Sequence, residues 1–170
     1  GGGFGGKNYL RVEPLIVALA MHTHGRPVKL AFTRDEEFIA SVCKHPVHLT
    51  FKTGVKRDGT ITARKITAIF DTGGYADTGP LVARNGAFSG TGPYRIPHVS
   101  VDSYCVYTNN PLGGAFRGFG VPQLTWAQES QMDMIATRLN IDSVDIRMRN
   151  LYDLGDETCT GEVLRTSVGV

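Results

Sequence analysis

Two runs rich in β-branched and aromatic residues, Val47–Val55 and Thr60–Phe70, flank an Asp58-Gly59 pair; the pattern predicts a β-hairpin closed by a tight turn. Val99–Tyr107 places Val99, Val101, Ser103, Cys105 and Tyr107 on one face, and Val28–Thr33 alternates Val28, Leu30 and Phe32, so each predicts a further strand. Tyr9–His24 carries Leu10, Leu15, Ile16, Ala18, Leu19 and Ala20 on most sides, which predicts a buried helix with Pro14 near its first turn and Gly25 and Pro27 as the stop. Arg34-Asp35-Glu36-Glu37 reads as a short acidic helical turn. Val121–Leu139 has helical period, with Leu124, Ala127, Met134, Ile135 and Leu139 as its inner stripe, Gln131 interrupting it and Asn140 closing it. Asp142 predicts the N-cap of a last helix bearing Val144, Met148 and Leu151, with Asp145 as a weaker capping-box partner.

Six glycines between Gly73 and Gly92 interrupt any period, so Asp71–Pro97 reads as irregular, as does the polar chain beyond Tyr152. There is no tandem repeat, no low-complexity tract and no regular βαβ spacing. The expected class is α+β: a mixed or antiparallel sheet with a β-hairpin at about 47–70, packed with three helices. A length of 170 residues fits one domain, 1–170. The chain opens on glycine rather than methionine, inside a glycine run, which predicts a portion of something longer.

Charge and cysteine content narrow the function classes. Eighteen basic against 16 acidic residues give +2, without the lopsided basic background of a nucleic-acid domain. No apolar run approaches ~18 residues, so neither nucleic acid nor membrane is an expected partner. Cys43, Cys105 and Cys159 form no CxxC pair and are too few for an iron–sulfur cluster, which needs four ligands; a reducing, cytoplasmic setting is expected. His22-Thr23-His24 points its two imidazoles about 200° apart on a helix, and Cys43-x-His45-x-x-His48 reads as a packed cysteine with polar neighbours, so no direct metal site is expected.

Glycine is the abnormal count, 21 of 170, where about 7% is usual. Gly1-Gly2-Gly3-Phe4-Gly5-Gly6 matches G-x-G-x-x-G, but it lacks a preceding strand and a carboxylate about 20 residues on. Gly1 to Lys7 imitates a P-loop, yet Asn8 stands where a magnesium-binding hydroxyl belongs. The run bares main-chain amides ahead of a helix, which suits either an anion cradle or a tightly packed turn. Gly113-Gly114-Ala115-Phe116-Arg117-Gly118-Phe119-Gly120 echoes it, adding the donor fork of Arg117 and the aromatic faces of Phe116 and Phe119. Two loops of one design point to one anionic ligand shared between them, or to packing.

The first loop through Lys7, together with Gly114-Ala115-Phe116-Arg117-Gly118-Phe119-Gly120-Val121-Pro122-Gln123, resembles the molybdenum-cofactor-binding large subunit of the xanthine dehydrogenase and aldehyde oxidase family. Arg26-Pro27-Val28-Lys29, Thr33-Arg34-Asp35-Glu36-Glu37, His45-Pro46 and Tyr94-Arg95-Ile96-Pro97 continue the resemblance in the same order, up to about Tyr152.

The resemblance implies an oxidoreductase that hydroxylates an aldehyde or aromatic heterocycle with oxygen from water. Its cofactor would be a molybdenum–pterin, either molybdopterin or its dinucleotide form, passing electrons to iron–sulfur clusters and, in some arrangements, FAD on other domains or subunits. It implies that Gly3, Phe4 and Gly5 with Ala115, Phe116 and Arg117 line the cofactor, and that Asn8 and Phe119 meet the substrate. Xanthine-specific members carry a glutamate at the position of Asn8 and an arginine at that of Asn85, with Arg84 one residue early, so purine is disfavoured. No motif for the family's catalytic base occurs here, and Glu36, Glu37 and Glu129 are not assigned that role; no catalytic residue is expected in this portion, which alone should not turn over. The alternative reading is a non-enzymatic phosphate- or nucleotide-binding module built on the same glycine-rich loops.

Overall fold

A computed structural model describes residues 2–169. Its elements run α1 (Glu13–Met21), α2 (Arg34–Ala40), β1 (Val47–Val55), β2 (Ile61–Gly73), α3 (Gly79–Phe88), β3 (His98–Tyr107), α4 (Val121–Leu139) and α5 (Ser143–Asn150). The strands form one mixed sheet in the order β1-β2-β3, with β1 antiparallel to β2 and β3 parallel to it. The α+β class, the hairpin and the strand at Val99–Tyr107 therefore stand. Three helices pack: α3 and α4 against the sheet, and α5 against α4.

The central strand explains the core. From Arg64 onward β2 buries every second residue, Arg64, Ile66, Ala68, Phe70 and Thr72, as the two-residue period of a pleated strand requires. Ile66, Ala68 and Phe70 meet Val82 and Ala83 of α3 and Leu124 of α4; Ile61 joins Tyr94, Ile96, Met132, Ala136 and Ile146 in a second cluster. Each such large side chain contributes roughly 1.5–3 kcal/mol on burial.

Asp71–Pro97 is not irregular. A parallel strand pair needs a crossover of a dozen or more residues, and α3 occupies it. The glycines that break the period are contact points. Gly79 lies on Thr72 and Cys105, and Gly86 on Phe70 and Leu124, where added methyls would collide.

The inner faces of two helices are rotated from the expected ones. On α4 the buried row is Leu124, Gln128, Met132 and Ala136, spaced by four, while Met134 is 70% exposed. A buried glutamine was not expected. Gln128 fits because Gly92 has no side chain to occupy the space taken by its carboxamide. On α5 the buried residues are Ile146 and Asn150, with Val144 and Met148 exposed. Asn150 satisfies its amide on the hairpin, accepting from Ile61 N–H and donating to the Gly59 and Ile146 carbonyls. The caps stand: the Asp142 carboxylate accepts from Val144 and Asp145 N–H, and Asn140 closes α4 in the left-handed region.

The N-terminal readings fare differently. Helix α1 forms with Pro14 in its first turn but buries no residue, so the expected buried helix is exposed among the described residues. Its apolar composition makes the helix, but burial needs a facing surface. Val28, Leu30 and Phe32 keep their alternating half-burial, yet the segment joins no ladder, because alternation specifies a face and not a neighbour. The acidic turn extends into α2, capped by a reciprocal box between Thr33 and Glu36.

Candidate functional site

The second glycine loop is seated on the segment before β1. Cys43 N–H donates to the Leu112 carbonyl, Gly114 N–H to the Cys43 carbonyl and Gly113 N–H to the Thr72 carbonyl. Gly113, Gly114 and Ala115 are buried. Val42 and the Asp77 carboxylate lie so close beneath Gly114 that a methyl group there would strike both.

Phe116, Arg117 and Gly118 then emerge into solvent. Gly118, Phe119 and Gly120 follow with φ of 90°, 47° and 94°, a left-handed run that turns the chain into α4. Gly120 is pressed against the Val82 carbonyl and Gly86 of α3, leaving no space for a side chain. Lys44 Nζ donates to the Arg117 carbonyl at 2.8 Å, and Asn85 Nδ2 to the Phe119 carbonyl at 2.7 Å.

The first loop makes the same turn, with φ of 47° at Phe4 and 93° at Gly5. It rests on the second: Gly5 abuts the Ala115 carbonyl, and the Arg117 guanidinium lies 5.6 Å from the centre of the Phe4 ring. Thus Phe4, Gly5, Ala115 and Arg117 come together in one place. Gly3 is beside them in sequence and packs against the Asn8 carboxamide, so Asn8 folds back on its own loop. The Phe116 ring instead faces the Lys44 ammonium at 5.2 Å, and Phe119 is half-buried against the Ile66–Phe70–Leu124 core. Asn85, where an arginine would mark the xanthine group, is committed to the Phe119 carbonyl, and Arg84 lies over Phe88.

The two loops bring main-chain N–H groups and a guanidinium into one patch. Among the described residues, the N–H groups of Phe4, Gly5, Ala115, Phe116 and Arg117 bond no acceptor, and Arg117 forms no ion pair. Unpaired amides and an unpaired guanidinium are the donor set that an anionic pterin phosphate and metal oxo ligands call for, so the residues fit such a group.

Sequence reasoning missed the support underneath. Arg11 Nη2 reaches both carboxylate oxygens of Asp77, at 3.1 and 3.2 Å, tying the chain after the first loop to the residue beneath the second. Burial would raise the Asp77 carboxyl, but hydrogen bonds from Thr78 and Arg11 outweigh it and hold it below the usual carboxylate range. His45 is buried beside Gly113, with Nε2 3.4 Å from Thr72 Oγ1 and Nδ1 without a partner among the described residues. Burial pushes its imidazole down, against the opposing pull of Asp77 and Asp71. No spacing signal marks Arg11, Lys44 or Asp77, because each meets its partner through the fold. No group of three His, Cys, Asp or Glu side chains among the described residues could hold a metal.

The geometry converges with comparison to known proteins. The sequence model of the molybdopterin cofactor-binding domain matches residues 1–151, and the chain belongs to that family. Over 170 residues it is 44% identical to the nicotinate dehydrogenase large molybdopterin subunit of Eubacterium barkeri, covering 100% of this chain and 40% of that protein. The solved aldehyde oxidoreductase of Desulfovibrio gigas matches with a TM-score of 0.82 at 35% identity, over 96% of this chain and 18% of its own. Quinoline 2-oxidoreductase of Pseudomonas putida 86 matches with a TM-score of 0.84 at 31% identity, over 97% and 22%. The chain spans less than half the length of these relatives. They are oxidoreductases, so the resemblance carried by the two loops is borne out as membership of an enzyme family whose cofactor is a molybdopterin.

Proposed function

We propose that this chain forms one wall of the cofactor pocket in a molybdenum hydroxylase that inserts water-derived oxygen into an aldehyde or an aromatic heterocycle. The observation that carries the reading is the meeting of the two glycine loops, Gly5 on Ala115 and Arg117 over Phe4, amid amides that bond no acceptor among the described residues. When bound, the molybdenum–pterin group supplies the two-electron acceptor and the oxygen-bearing centre. Arg117 donates its guanidinium fork to the anionic cofactor, and the N–H groups of Phe4, Gly5, Ala115 and Phe116 supply donors that need no reorganisation. Gly3 and Gly5 let the backbone approach closely. Phe119, fixed at its carbonyl and along its buried edge, offers ring surface to the substrate, and Asn8 donates and accepts hydrogen bonds without charge.

A heteroaromatic acid is the substrate class the reading favours within that range. The 44%-identical relative is named a nicotinate dehydrogenase, and Asn8 and Asn85 stand where purine-specific members carry charge. The remainder of the large subunit supplies the catalytic base and the opposite wall; iron–sulfur and, where present, flavin domains or subunits take the electrons. Three free thiols accord with a reducing cytoplasm. In the full-length enzyme Arg117→Ala lowers molybdenum content or turnover by about 100-fold or more, the scale of a lost oxyanion-type donor. Full metal content with normal turnover in that variant sinks the reading.

A further inference from the structure

Two side chains from separate elements hold the turn that carries Arg117 and Phe119. Lys44, in the segment before β1, donates to the Arg117 carbonyl, and its ammonium also faces the Phe116 ring, so one charge fixes two groups of the loop. Asn85, on α3, donates to the Phe119 carbonyl two residues further on. Between these fixed points lie Gly118 and Phe119, both left-handed. A phenylalanine in that region is strained, and such a conformation persists only where its surroundings over-determine it. A change of φ at Phe119 alters the path of the chain between the two held carbonyls, next to the Arg117 guanidinium that lies over Phe4.

We propose that Lys44 and Asn85 are positioning residues that clamp the Arg117–Phe119 turn from two elements, and that retention of the cofactor depends on both. The inference rests on the reading of this turn as a wall of the molybdopterin site. It is tested in the full-length protein with Lys44→Met, Asn85→Leu, the double variant, Lys44→Arg and, as the reference, Arg117→Ala. Molybdenum and pterin per protomer are measured on the monodisperse folded fraction, beside the melting temperature.

Each single loss of a donor lowers metal and pterin content about fivefold to tenfold, the equilibrium worth of one such hydrogen bond, and the double variant retains less than either. Lys44→Arg, which keeps a charged donor of similar reach, retains the metal, and the melting temperatures of cofactor-stripped variants match that of stripped wild type, since bound cofactor itself raises melting. A purely structural lysine or asparagine gives the opposite pattern, lowered melting with full metal in the folded fraction, and overturns the clamp. If Asn85→Leu melts early, Asn85→Asp, which keeps the size and sets a carboxylate against the carbonyl, takes its place with the same expected loss. Wild-type metal in both singles and the double, with loss in Arg117→Ala, overturns the clamp alone; wild-type metal with normal turnover in Arg117→Ala overturns the underlying site reading.

Discussion

The chain holds two versions of one turn in unlike surroundings. Phe4-Gly5 and Phe119-Gly120 share φ angles to within a degree, yet residues 2–41 contain no buried residue, and every buried residue of the described chain lies between Val42 and Asn150. The Gly-Phe-Gly sequence recurs in both loops, but a left-handed phenylalanine needs surroundings that hold it. Packing decides whether it is fixed. The second loop is held by backbone bonds to Cys43 and Thr72, by α3 against Gly120 and by Lys44 and Asn85. The first leans on the second through Gly5, Phe4 and the Arg11–Asp77 pair. One loop is thus built into the core and the other is laid against it.

The largest effect expected tests the core-anchored second loop. Gly120→Ala combines a forbidden φ with collision against the Val82 carbonyl, and costs about 3 kcal/mol or more of stability, read as a lowered melting temperature of the full-length protein. A variant that melts within a degree of wild type shows that the second loop is no more fixed than the first.

Gly5→Ala is the matched experiment on the first loop. It collides with the Ala115 carbonyl, so molybdenum content falls about tenfold, while melting falls by much less than in Gly120→Ala because the first loop buries no residue of its own. Melting as low as that of Gly120→Ala erases the distinction between the loops.

His45 sharpens the comparison through pH. Its folded-state pKa lies below the ordinary imidazole value of 6.5, so the unfolded chain binds more protons once pH falls through that value. The stability contributed by the neutral buried ring is complete above about 6.5 and is lost as pH drops towards the folded value. The melting temperature therefore declines as pH falls below about 6.5, and His45→Gln flattens that decline; an unchanged slope in the variant removes His45 as its cause. The smallest effect is a control away from both loops. Asp142→Ala removes the cap of α5 and costs about 1 kcal/mol with metal content intact; a fall in metal content means that the body and the site are more tightly coupled than described.

Legibility in the sequence follows the same division. The hairpin, β3, the span of α4 and the caps at Asn140 and Asp142 are local events, written in adjacent residues. Helix α3 is hidden because Gly79 and Gly86 look like breakers until Phe70, Cys105 and Leu124 are seen packed on them. Gln128 reads as an exposed polar position until Gly92 makes room for it. At the site, the two loops are visible as motifs, and their contact is a tertiary fact. Lys44, Asp77 and Arg11 leave no trace in spacing, since their partners lie 73 and 66 residues away.

The central claim is that both loops border one metal. Anomalous diffraction at the molybdenum edge from crystals of the full-length, cofactor-loaded protein locates that metal directly. One peak is expected, bordered by Phe4 of the first loop, with Arg117 of the second in hydrogen-bond reach of the cofactor that holds it. A peak flanked by other residues, with either loop facing solvent or plain protein packing, contradicts it.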